Sequence, residues 1–181
     1  MNLVCRILPP GLDLPTDEIE RKETIAIKAI TTIAMMAYNH SQTQDRFADR
    51  GAIAWIIDFC FAKFDEKEQT LVNVGIYGLM ALIANNPGNK SELFRRQFLS
   101  YIEPLLLQFS NVPKVVQSTL SLLFLLLEDD IRSRYSVQEA RQYCIHANVI
   151  NTIMDLRLKV KDSEIHTTID KILNVVSKDL S

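Results

Sequence analysis

Val116-Gln117-Ser118-Thr119-Leu120-Ser121-Leu122-Leu123-Phe124-Leu125-Leu126-Leu127 is the stretch that decides the fold. Leu120, Phe124 and Leu127 stand four and three residues apart, the spacing that puts side chains on one face of an α-helix. The same triplet occurs three more times, as Ala26/Ile30/Ile33, Ile76/Met80/Ile83 and Ile169/Leu173/Val176. Successive copies are offset by 50, 44 and 49 residues, and each has another apolar residue just before its middle member: Ala29, Leu79, Leu123 and Ile172. Helices repeating every 40–50 residues or so are the mark of a helical solenoid. Such an architecture works by presenting a surface to a partner.

A second element lies between the triplets. Gly51-Ala52-Ile53-Ala54-Trp55-Ile56-Ile57 is echoed by Ser100-Tyr101-Ile102-Glu103-Pro104-Leu105-Leu106 and by Asn148-Val149-Ile150-Asn151-Thr152-Ile153-Met154, at offsets of 49 and 48 residues. Two patterns in one register predict units of a short helix, a middle helix and a longer third helix. The predicted helices span 17–38, 41–49, 52–64, 67–85, 91–98, 101–110, 113–128, 136–146, 149–159 and 163–178. Asp17 with Glu20, Ser91-Glu92, and Ser136 with Glu139 supply oxygen acceptors where the first amide hydrogens of a helix need them. Asn85-Asn86-Pro87-Gly88-Asn89 reads as a helix stop and turn. Pro104 falls near a helix start, where its missing N–H costs least. No run alternates polar and apolar residues with β-branched enrichment, so no sheet is expected.

The chain has 181 residues, 48% hydrophobic and 23% charged, with a net charge of −2. That balance supports one folded domain over 1–181 and argues against disorder. It supplies no surplus of positive charge for a phosphate backbone, which disfavours nucleic acid as a ligand. Cys5, Cys60 and Cys144 lie far apart and show no metal or redox spacing, as expected of reduced thiols in the cytosol or nucleus. Met1–Leu14 is interrupted by Arg6 and Pro9-Pro10, which argues against a secretory signal, and no apolar run is long enough to span a bilayer.

These residues resemble armadillo repeats. Gly51-Ala52-Ile53 is similar to the family's middle-helix opening. Val72-Asn73…Ile76…Met80…Ile83-Ala84 and Val116-Gln117…Leu120…Phe124…Leu127 are similar to its third-helix run. The resemblance covers about residues 17–180 and implies an all-α, right-handed α-α superhelix of about 3.5 repeats, at about 17–38, 39–86, 87–130 and 131–181. Residues 1–16 would then fold back as an N-terminal cap. The resemblance further implies a concave groove lined by the third helices, which holds extended or helical segments of other proteins. Importin-type members carry ladders of Trp and Asn there. The matching positions are Lys28, Gly78, Leu122 and Lys171 for Trp, and Thr32, Leu82, Leu126 and Val175 for Asn. Neither ladder is present, so a more apolar ligand is expected than a nuclear localisation signal.

The groove residues expected on this register are Val74, Gly78, Leu82, Ser118, Leu122, Leu126, Thr167, Lys171 and Val175. Val115–Leu127 is apolar nearly all round, so its leucines either form an exposed binding strip or are core covered on both sides. Gly78 either admits a partner's backbone or permits close helix packing within the chain; Gly75 reads as packing. Lys28, Lys171 and Lys178 would give an apolar groove positive ends. Arg95-Arg96 and Arg132/Arg134 read as solvated helix ends. Trp55, Phe59, Phe61 and Phe64 read as packing residues.

Enzyme signatures are missing from the sequence. Cys144 and His146 stand two apart, which points them to different sides of a helix and bars a nucleophile–base pair. His40 and His166 have no partner at zinc-ligand spacing, and no phosphate loop or nucleophile elbow occurs. The expectation is a non-catalytic scaffold or adaptor without cofactor or metal, binding a partly apolar protein segment. The alternative is a structural subunit that self-associates or stacks through its solenoid ends.

Overall fold

The computed structural model describes residues 16–62, 69–128 and 137–177, except for the side chains of residues 16, 17 and 19. Residues 1–15 of the expected N-terminal cap, Cys5 among them, together with Phe64, Arg132, Arg134, Ser136 and Lys178, lie outside the described residues. The fold is all-helical, and no strand occurs among the described residues. The helices are α1 (Thr16–Ala37), α2 (Ser41–Asp49), α3 (Ala52–Cys60), α4 (Gln69–Ile83), α5 (Pro87–Arg95), α6 (Ile102–Gln108), α7 (Pro113–Leu127), α8 (Val137–His146), α9 (Val149–Lys159) and α10 (Ser163–Ser177). A 3-10 turn, Phe98–Tyr101, precedes α6.

The four triplets fall on α1, α4, α7 and α10, and these helices pack in chain order, α1 on α4, α4 on α7 and α7 on α10. A shorter helix supports each of the later three: α3 on α4, α6 on α7 and α9 on α10. The outer triplet members are buried in every copy, whereas Met80, Phe124 and Leu173 in the middle are half-buried and only Ile30 is fully covered. Burial of each such Ile or Leu stabilises the fold by about 1.5–3 kcal/mol. The largest fully buried side chains, Phe61 just after α3 and Phe98 of the 3-10 turn, meet edge to face at 5.1 Å between ring centroids.

Two helix starts differ from expectation. Helix α5 begins at Pro87, so Gly88 and Asn89 are helical and only Asn85 (φ +57°) and Asn86 form the turn. The Asn86 side chain accepts the Asn89 N–H at 3.0 Å, and Pro87 needs no partner at the first helical position. Ser91 consequently lies inside α5, its hydroxyl donating to the Pro87 carbonyl at 2.9 Å. In the middle unit the left-handed residue is Gln97 (φ +56°), in the role Gly51 (φ +82°) and Asn148 (φ +61°) play elsewhere. The 3-10 turn fills the interval, which puts the start of α6 beyond the Ser100-Tyr101 opening.

A buried polar cluster closes the α4 end. Gln44 of α2 donates to the carbonyls of Ala81 and Ala84 at 2.8 and 3.1 Å, and Asn89 donates to Leu82 at 2.8 Å. Helix ends leave four carbonyls without intrahelical partners, and these amides satisfy them inside the core. Arg141 of α8 does the same for α7, donating from its guanidinium to the Leu127 carbonyl at 3.0 Å. A cation at a helix C-terminus also meets the negative end of the helix dipole.

Candidate partner-binding surface

Contacts between the triplet-bearing helices fix which way each helix is turned. A Cβ built on Gly78 of α4 would stand 2.5 Å from the Ile30 Cγ2 of α1. On α7, the Ser118 hydroxyl donates to Asn73 Oδ1 of α4 at 2.7 Å. On α10, Thr168 accepts from Gln117 Nε2 of α7 at 3.1 Å, and the Lys171 ammonium stands 5.9 Å from the centre of the Phe124 ring. By the sequence offsets, Gly78, Leu122 and Lys171 are equivalent, as are Val74, Ser118 and Thr167. Each later helix therefore uses this side to meet its predecessor.

That orientation corrects most of the expected groove. Leu82 and Leu122 are fully buried, Leu126 and Ser118 are 1% and 2% exposed, and Gly78 is buried against α1. The reason is steric. Helix α7 is packed by α4 and α10 on its flanks and by α6 and α8 as well, so most of its apolar surface is core and only Phe124 and Leu125 remain half-buried. Gly78 serves close packing with Ile30 and Ile56 and leaves no room for a partner's backbone. The expected row remains accessible only where packing thins: Val74 and Val175 are half-buried, and Thr167 and Lys171 are exposed.

The side of each helix that reaches solvent lies one residue earlier. Tyr77 is 50% exposed, and its equivalents Ser121 and Asp170 are half-buried. The next accessible row along the helices has Thr31 on α1, half-buried Leu125 on α7 and Asn174 on α10. Sequence reasoning missed Tyr77, Ser121 and Leu125. The signal available was Gly78 itself, because a glycine inside a helix marks a close contact and leaves its neighbour Tyr77 to face outward. Tyr77, Ser121 and Leu125 form an uncharged strip of ring, hydroxyl and aliphatic groups, with Lys114 and Glu128 exposed at the ends of α7. Such a strip suits a partly apolar polypeptide held by side-chain contacts and a few hydrogen bonds.

Chemistry-bearing groups elsewhere are spread apart. Among the described residues no three of His, Cys, Asp and Glu are grouped to hold a metal ion, and no helix is long and apolar enough to cross a membrane. His146 is exposed, whereas Cys144 is fully buried. Burial pushes the Cys144 thiol up to about 12, so it is a neutral thiol at physiological pH and a poor nucleophile. Tyr143 is raised as well, first by burial and then by Cys144 and Glu103.

A raised folded-state value means that the unfolded chain loses its thiol proton first, near the ordinary 9.0. Stability contributed by the buried neutral form is complete below pH 9 and is lost between pH 9 and 12. Stability measured by urea unfolding should therefore fall by up to about 1.4 kcal/mol per pH unit in that window. Cys144→Ala should flatten the slope; an unchanged slope would assign the alkaline loss to other groups. No protein-family model, curated protein or solved structure matches this chain.

Proposed function

We propose that this chain is a non-catalytic scaffold that holds a segment of a partner protein along the accessible side of α1, α4, α7 and α10. In this reading the four helices are the third helices of armadillo-like units stacked as a right-handed superhelix, with the segment crossing them. The support is the shared register of their contacts. The Gln117–Thr168 and Phe124–Lys171 pairs run in the same chain direction on both helices, so α7 and α10 are parallel, as consecutive units of one stack would be. A parallel stack brings equivalent residues into rows, and Tyr77, Ser121 and Leu125 then lie in rows open to solvent. The proposed ligand is an extended or helical protein segment with apolar side chains, met in the cytosol or nucleus.

A photo-crosslinking residue in place of Tyr77 tests this directly, with the same residue in place of the exposed Asp58 on α3 as the control. Position 77 should capture a defined partner that position 58 does not. Tyr77→Glu combined with Leu125→Glu should then reduce that partner's affinity by about 10-fold or more. Equal capture at both positions, or undiminished binding by the double variant with its fold intact, would overturn the assignment.

A further inference from the structure

The side by which α4, α7 and α10 each meet a predecessor is also present on α1, where no helix among the described residues precedes it to pack there. Counting back by the 50-residue offset, Gly75 and Gly78 become Ile25 and Lys28, while Leu82 becomes Thr32. Ile25 is 48% exposed, and Lys28 and Thr32 are exposed too, with Met36 one turn beyond Thr32 at 57%. At the other end, α10 carries the side that a successor would meet. Leu173 is the equivalent of Phe124, and His166 of Gln117; both are half-buried, as is Asp170 one turn before Leu173. Of the eight exposed large hydrophobics among the described residues, six sit toward these two ends: Ile25, Met35, Met36 and Tyr38 on or after α1, and Met154 and Leu158 on α9. A stack that ends in solvent closes with polar faces. Here Ile25 and Met36 leave exposed apolar groups on the incoming side, among the polar Thr24, Lys28 and Thr32.

We propose that a second copy of this chain continues the stack, its α1 packing on the α10 of the first in head-to-tail fashion. This continuation rests on the stacked-helix reading above, and two observations name a second copy as the occupant. The geometry is continuous with the α4–α7 and α7–α10 contacts already made. The facing groups also match when the Ser118–Asn73 and Lys171–Phe124 pairs are carried one unit onward. The exposed Thr24 hydroxyl then meets the His166 ring, and Lys28 lies over Leu173, within a helical turn of Asp170. His166 Nε2 is paired with the Val160 carbonyl at 2.7 Å, which makes Nδ1 the acceptor of the neutral ring and a fit for a hydroxyl donor. Asp170, one turn before Leu173, supplies an acidic group beside the Lys28 position, its carboxylate also paired with Arg157 at 2.9 Å. One helix pair with its flanks lies at the small end of stable interfaces, so the contact is a weak and salt-sensitive one. A heterologous contact of this kind does not saturate at a dimer unless the rotation closes a ring.

Sedimentation velocity over a concentration series tests it. The wild type should rise above the 20.7 kDa monomer as concentration increases. Ile25→Glu kills the incoming side, and Leu173→Glu kills the outgoing side; each variant alone should stay monomeric. If Leu173→Glu lowers thermal stability, Asp170→Lys serves as the milder outgoing-side variant. Because each variant keeps the side the other has lost, an equimolar mixture should form a 1:1 dimer and nothing larger. A strict monomer in the wild type, a mixture that fails to pair, or self-association lost only in Ile25→Glu would overturn the proposal; the last outcome would mean an isologous α1 contact. Crosslinking at position 77 is independent of these sides, so its success beside a monomeric wild type would remove the head-to-tail contact and leave the scaffold reading standing.

Discussion

Gly78→Ala is expected to destabilise the protein by about 1–3 kcal/mol, although Ala is the better helix former by about 1 kcal/mol. The added methyl would stand 2.5 Å from the Ile30 Cγ2 and 3.3 Å from the Ile56 Cδ1. Ile30 is fully buried and its Cγ2 sits on the branch point, so it cannot swing away as the end of a long side chain would. Relief requires α1 and α4 to separate, and the contact between them is among the most extensive in the molecule. Gly75→Ala should cost more within the same range. Its methyl would meet the Cys60 Cβ at 2.8 Å and Sγ at 2.9 Å, and a Cβ moves only with its backbone. Urea titration of both variants gives the numbers. The decisive control is a double-mutant cycle with Ile30→Ala, which removes the blocking methyl. The pair should cost clearly less than the sum of the single changes. Strict additivity would mean that the glycine is needed for another reason.

A position is legible in the sequence to the extent that independent signals agree on it. The helices carrying Ala26/Ile30/Ile33 and its three echoes were legible because apolar spacing, offset and breakers agree there. The start of α5 was misplaced because Asn85-Asn86-Pro87-Gly88-Asn89 looks by composition like one turn. An Asn that caps followed by a Pro at the first helical position is equally a helix start, and that is what formed. The solvent-facing side was displaced by one residue for a different reason. From Val115 to Leu127 the helix is apolar nearly all round, so hydrophobicity cannot say which way it is turned. The orientation is decided by contacts between helices far apart in sequence: Ser118 with Asn73, Gln117 with Thr168, and Gly78 with Ile30. One residue is about 100° of rotation, enough to carry Leu122 from an open wall into the core and to bring Ser121 out.

That rotation has the largest consequence for mutation. Leu122→Glu is expected to prevent folding at about 37 °C, and Leu122→Ala to cost about 2–5 kcal/mol. Leu122 is fully buried on α7, which α4 and α10 flank, so a carboxylate there would lose its water inside an apolar core. A penalty of several kcal/mol is a large part of the roughly 5–15 kcal/mol that holds a domain together. One position away, Ser121→Glu, or Tyr77→Glu on α4, should change stability by less than about 0.5–1 kcal/mol, because the side chain can reach solvent. Thermal melts followed by circular dichroism separate the two sets cleanly. Should Leu122→Glu melt where the wild type does while Ser121→Glu unfolds, α7 would be turned the other way. The row through Gly78, Leu122 and Lys171 would then be the open wall, and the strip through Tyr77 and Ser121 would be its core.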